Sequence, residues 1–142
     1  MENETIKKKF IGVWELVYID MQSLDGKDLG RGRSKGCLIY TKQGYVSAQL
    51  GDLKIKNFKS ENKYKATDKE VRMAFNKFDS YYGKYEIDKE NGIVKHHIEF
   101  SLFPNLIGTT LERSFKFIND LLELKAVGKE ERIEYTLKWK RL

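Results

Sequence analysis

The chain has 142 residues, 40% of them hydrophobic and 13% aromatic, which suffices for one packed domain over residues 1–142 and excludes a disordered chain. A single cysteine, Cys37, excludes an intramolecular disulfide framework and a C-x-x-C site, and no apolar run approaches the ~18 residues of a membrane-spanning helix. The formal charge of +6 is dispersed among acidic residues, with Lys7, Lys8 and Lys9 as the one basic block, so it reads as a solvated surface rather than a nucleic-acid face.

The opening segment, MENETIKKKFIGVW, lacks the apolar core of a secretory signal, and a cytoplasmic protein is expected. It is read as passing straight into a first strand, GVWELVYI, with Gly12, Trp14, Leu16 and Tyr18 on one side. GCLIYT and YVSAQL follow, joined by a short turn at Lys42–Gly44, and form a hairpin. Residues 51–66 fit either a short strand or a long polar loop. In TDKEVRMAFNKFDSYY, Thr67 and Glu70 stand at capping-box spacing, and Val71, Ala74, Phe75 and Phe78 recur at helical spacing. This predicts one inserted amphipathic helix over about residues 67–80.

YGKYEID then turns at KENG into IVKHHIEFSL, a second hairpin, and TTLERSFKF turns at IND into LLELKAV, a third. In the last strand Ile133, Tyr135, Leu137, Trp139 and Arg141 alternate with polar residues, as expected of a sheet with one buried and one wet face. About eight antiparallel strands joined by short turns can close into an up-and-down barrel, with room inside for side chains or one small ligand. An open sandwich is the rival architecture.

Gly12-Val13-Trp14 resembles the G-x-W signature of lipocalin and calycin barrels, and Trp139-Lys140-Arg141 ends the last strand. In those barrels the first-strand tryptophan packs under an arginine from the last strand. The resemblance therefore implies that Gly12, Trp14, Trp139 and Arg141 close one end. Together with GCLIYTKQGYVSAQL, YYGKYEID and VKHHIEFSLFPNLIGTTLERSF, these residues make the chain similar to the bacterial and fungal lipocalin-like domain family from Phe10 to Arg141. The resemblance implies a mainly β, eight-stranded antiparallel barrel with one inserted helix. Related barrels include both carriers and cyclases or isomerases.

Strand parity assigns side chains to faces. Val94, His96, Ile98, Phe100 and Leu102 share the apolar side of their strand, so His96 points inward and His97, with Lys95, Glu99 and Ser101, outward. Adjacent histidines on opposite faces cannot share a metal, and no third ligand is suitably spaced, so no metal site is expected. Arg113 falls with Leu111, Phe115 and Phe117 on an apolar face. It either bonds to protein acceptors or binds an acid or carbonyl group of a ligand. Tyr40 and Tyr85 are wall residues with a ring to pack and a hydroxyl to aim. Ser47 and Gln49 lie outside by pattern, but the family carries polar residues there, which keeps them as candidates for a polar wall. The corner Phe103–Ile107, which holds the chain's one proline, plugs a barrel end or forms an apolar rim. Met73, Phe75 and Phe78 cap the barrel or cover its entrance.

The leading functional expectation is a protein that binds a small, mostly apolar molecule with an acidic or carbonyl group. The residues expected to line its site are Tyr40, Tyr85, His96, Ile98, Arg113, Phe115 and Tyr135, with Ser47 and Gln49 as further candidates. An alternative is a cofactor-independent cyclase, isomerase or dehydratase of a secondary-metabolite type pathway. There His96 would be the acid or base, and Arg113 or Tyr40 would stabilise an enolate. A third is a barrel filled by its own aromatics with a structural role. No cofactor, nucleic-acid partner or membrane partner is expected, and the oligomeric state is not legible.

Overall fold

A computed structural model of the chain describes residues 2–32 and 34–142. In chain order it contains α1 (Glu2–Phe10), β1 (Gly12–Ser23), β2 (Asp28–Gly32), β3 (Ser34–Tyr40), β4 (Tyr45–Asp52), α2 (Asp68–Asn76) and β5 (Phe78–Asp88). β6 (Ile93–Ser101), β7 (Thr110–Ile118), β8 (Leu121–Gly128) and β9 (Ile133–Arg141) complete it. From β3 onward each strand pairs antiparallel with the next, and β9 pairs back onto β1 from Trp14↔Arg141 to Ser23↔Ile133. The first part of β1 pairs with β3 (Gly12↔Tyr40) and its later part with β2 (Ile19↔Gly32). β2 and β3 thus share one edge of β1 as an interrupted strand, and the sheet closes as an eight-stranded antiparallel barrel. The open sandwich is excluded, because a closed sheet leaves no free edges.

Three elements differ from the sequence reading, the first being β2, which forms over Asp28–Gly32 where no strand is expected. The N-terminal segment does not run straight into a strand but forms α1. Five of its nine residues are charged, which masks the helical pair Ile6 and Phe10; these are 9% and 0% exposed. The inserted helix ends at Asn76 rather than near residue 80. Its capping box forms as expected: Glu70 N donates to Thr67 Oγ1 at 3.2 Å and Thr67 N to Glu70 Oε1 at 2.9 Å. Phe78 and Asp79, however, pair with Gly51 and Leu50 of β4, and the ladder overrides the helical spacing. Residues 53–66 are turns and polar loop, with one 3-10 turn at Lys63–Lys65.

A β-bulge sits in the β5–β6 pair. Gly83 faces Ile98 but Tyr82 faces Phe100, so Glu99 is the extra residue. Parity flips beyond it. Phe100, expected inside, is 63% exposed, and Ser101 turns inward. Gly83 permits this approach, since a Cβ there would overlap the His97 carbonyl oxygen.

α1 closes one end of the barrel. Phe10 packs edge-on against Tyr40, Phe115 and Phe117 at ring separations of 5.1, 4.9 and 5.0 Å. The Arg141 guanidinium lies 4.3 Å over the Trp14 ring and donates to the carbonyls of Lys9 and Ile11. Trp14 Nε1 donates to the Phe10 carbonyl at 2.8 Å. These bonds satisfy the carbonyls that the end of α1 leaves unpaired. Gly12, at φ 143°, leaves room for the guanidinium. Trp139 is not part of this arrangement; it sits farther inside the barrel wall.

Candidate functional site

Away from α1 the barrel is hollow. Antiparallel alternation sends Ile19, Leu38, Leu50, Leu111, Leu124 and Leu137 inward, and they wall a cavity of about 570 Å³. Its polar groups are few: Ser34 of β3, Tyr81 of β5, His96 and Ser101 of β6, Arg113 of β7 and Tyr135 of β9, with Asp52, Asp79 and Ser80 where β4 ends and β5 begins. Asp79 is exposed on one side and partly desolvated on the other, which raises its carboxyl above the usual range. The indole Nε1 of Trp139, also in the wall, is buried without a partner among the described residues.

The polar centre is a chain of three side chains. Tyr40 Oη lies 2.7 Å from His96 Nε2, and Tyr81 Oη lies 2.7 Å from His96 Nδ1. His96 is 1% exposed. Burial, then the nearby Arg113 charge, then His97, push its pKa down to about 3, so the ring is neutral. Burial raises the Tyr40 and Tyr81 hydroxyls above their ordinary range, with Arg113 opposing it in both. Arg113 is half-buried, and its guanidinium donates to the Glu112 carbonyl at 3.2 Å. His97 points outward as parity requires, 2.8 Å from Thr110 Oγ1 and 3.5 Å from Glu86.

Of the residues expected to line a site, the structure brings His96, Arg113 and Tyr135 to the cavity. It places Tyr40 behind His96, 1% exposed, with its ring against Phe10 and Tyr85. Tyr85 donates its hydroxyl to the Thr41 carbonyl at 2.8 Å, Phe115 packs on Phe10, and Ile98 is buried off the cavity wall. Ser47 and Gln49 face outward, because Ala48 and Leu50 beside them point in. The corner after β6 does not plug the barrel, a place Phe10 occupies. Leu106 of its 3-10 turn borders the cavity, while Phe103 and Ile107 are exposed. α2 contributes no side chain to the wall.

Sequence reasoning missed Asp79 because the helix was extended over it, and Tyr81 because the following strand was started one residue later, at Tyr82. Parity counted back from Tyr85 through Gly83 reaches both once β5 starts at Phe78. Ser101 was missed because parity was carried through the bulge.

A second hollow of about 550 Å³ lies on the outer face under β2. Its charges are largely satisfied within the protein, Arg31 pairing with Asp20 at 2.6 Å and Lys138 with Glu123 at 3.4 Å, while the Asp28 carboxylate accepts from Gly30 N at 2.8 Å. It therefore offers a ligand little that is unpaired. Among the described residues no three His, Cys, Asp or Glu side chains group closely enough to hold a metal ion, and no helix is long and apolar enough to cross a membrane.

A family model described as a lipocalin-like domain matches residues 11–142. Among curated proteins, the chain is similar to a 4'-hydroxy-3'-methoxypropiophenone carrier protein of Aspergillus oryzae, with 37% identity over 67 residues. The match covers 43% of this chain and 60% of that protein.

Proposed function

Since this chain belongs to the lipocalin-like domain family, we propose that it is a carrier that holds one small, mostly apolar molecule, bearing a carbonyl or acidic group, inside its barrel. The observation that carries this reading is the hollow interior. About 570 Å³ falls within the usual range for small-molecule sites, and its apolar wall is interrupted by a compact polar group of Tyr81, His96 and Arg113. The name of the similar Aspergillus oryzae protein supports the chemical class, for it describes a carrier of an aryl ketone. An aromatic ring would lie among the leucines and Trp139, and its oxygen substituent would meet the Arg113 guanidinium.

The filled-barrel reading fits poorly with such a cavity. The catalytic reading, with His96 as acid or base, is less well supported than binding. Both ring nitrogens of His96 are engaged by tyrosine hydroxyls, so neither is free to meet a substrate. Titration with 4'-hydroxy-3'-methoxypropiophenone, a fatty acid and an aromatic acid, followed by tryptophan fluorescence and thermal melting, tests the proposal. We expect saturable quenching and a raised melting temperature with at least one of them. Arg113→Met should weaken that ligand by roughly tenfold. Absence of any shift across the three classes would remove the carrier reading.

A further inference from the structure

The Tyr40–His96–Tyr81 chain has a direction. Tyr40 is 1% exposed, and among the described residues its hydroxyl has one partner, His96 Nε2 at 2.7 Å. A buried O–H needs an acceptor, and Nε2 is the atom within reach. A neutral imidazole that accepts at Nε2 carries its proton on Nδ1. That proton points at Tyr81 Oη, 2.7 Å away. Tyr81 therefore accepts from the histidine, and its own hydroxyl proton is left over on the cavity side. The opposite tautomer would strand the Tyr40 proton without an acceptor, and would turn the Tyr81 proton back onto the ring.

We infer that the buried Tyr40–His96 pair is a positioning device that fixes Tyr81 as a hydrogen-bond donor into the cavity, so that the site selects a neutral acceptor oxygen of the ketone type. This rests on the carrier reading and narrows it. Arg113 supplies a second donor, its one bond among the described residues going to the Glu112 carbonyl. Two carboxylates, Asp52 and Asp79, border the same cavity and offset the guanidinium. A ligand carboxylate thus gains little from overall charge, whereas a carbonyl needs only donors. Tyr40 never reaches the ligand and acts through the histidine.

The test has two arms. Nitrogen-15 spectra of the ligand-free protein, labelled at histidine, distinguish a protonated ring nitrogen from a bare one. We expect His96 protonated at Nδ1 and bare at Nε2; the reverse would overturn the relay. In the second arm three probes are titrated: 4'-hydroxy-3'-methoxypropiophenone, the same arene with propyl in place of propionyl, and the corresponding benzoate. The ketone should bind roughly tenfold tighter than the propyl arene and ahead of the benzoate. In Tyr81→Phe the ketone-to-propyl ratio should fall towards one. In Tyr40→Phe it should fall part of the way, with both tautomers visible. An unchanged ratio in Tyr81→Phe, or a single Nδ1-protonated tautomer in Tyr40→Phe, overturns the inference while leaving the carrier reading in place. If none of the probes binds, the ketone-type recognition is overturned, the carrier reading then stands or falls with the fatty acid of the first titration, and the nitrogen spectrum still decides the relay's direction.

Discussion

His96 links its environment to the pH dependence of the whole chain. Folded, its pKa is held at about 3; unfolded, it returns to about 6.5. Between these values the unfolded chain binds more protons than the folded one. The stabilising contribution is therefore complete above about pH 6.5 and is lost as pH falls towards 3, with a slope of up to about 1.4 kcal/mol per pH unit. Urea unfolding at about pH 7, 5.5 and 4 should show the decline, and His96→Gln should flatten it. An equal decline in the variant would assign the effect to other groups. The orientation of this residue was legible because parity is a local property: His96 and His97 leave a strand on opposite faces wherever the strand goes. Its partners were not legible, because Tyr40 and Tyr81 arrive from strands 56 and 15 residues away.

At the scale of elements, the alternation of each hairpin was readable and its interruptions were not. The bulge at Glu99 leaves no mark in composition, yet it moves Phe100 out and Ser101 in. This makes two substitutions diagnostic. Gly83→Ala should cost more than about 2 kcal/mol, since its methyl group would meet a backbone carbonyl that cannot turn away. Phe100→Ser should stay within about 0.5 kcal/mol, although parity without the bulge would make Phe100 a core residue. Denaturant midpoints of the two variants check both; a large loss from Phe100→Ser would place the bulge wrongly. α1 escaped notice for a different reason. Isolated short helices are marginal in water, and this one draws its stability from Phe10 docking and from the Arg141 and Trp14 bonds to its last carbonyls.

At the scale of the molecule, the barrel is packed at one end and hollow at the other, and Phe10 marks the boundary of the packed end. Phe10→Ala should cost about 3–5 kcal/mol, because a fully buried ring with three edge-on neighbours leaves a void that the closed sheet cannot collapse around. Thermal melting measures the loss. The same variant should still bind any ligand found for the cavity at temperatures where it is folded, since Phe10 does not line the cavity. By itself the sequence determined eight of the strands and their antiparallel succession, because these follow from period-two patterning and short turns; closure, which patterning left level with an open sandwich and the family resemblance implied, is decided by the pairing of β9 with β1. The sequence also determined that one histidine and one arginine turn inward. Only the tertiary structure decided that the interior is hollow, that α1 rather than the proline corner plugs it, and that Tyr81 joins His96 in the cavity wall. Volume and hydrogen-bond partnership depend on which side chains from distant strands meet across the barrel, and no local period encodes that.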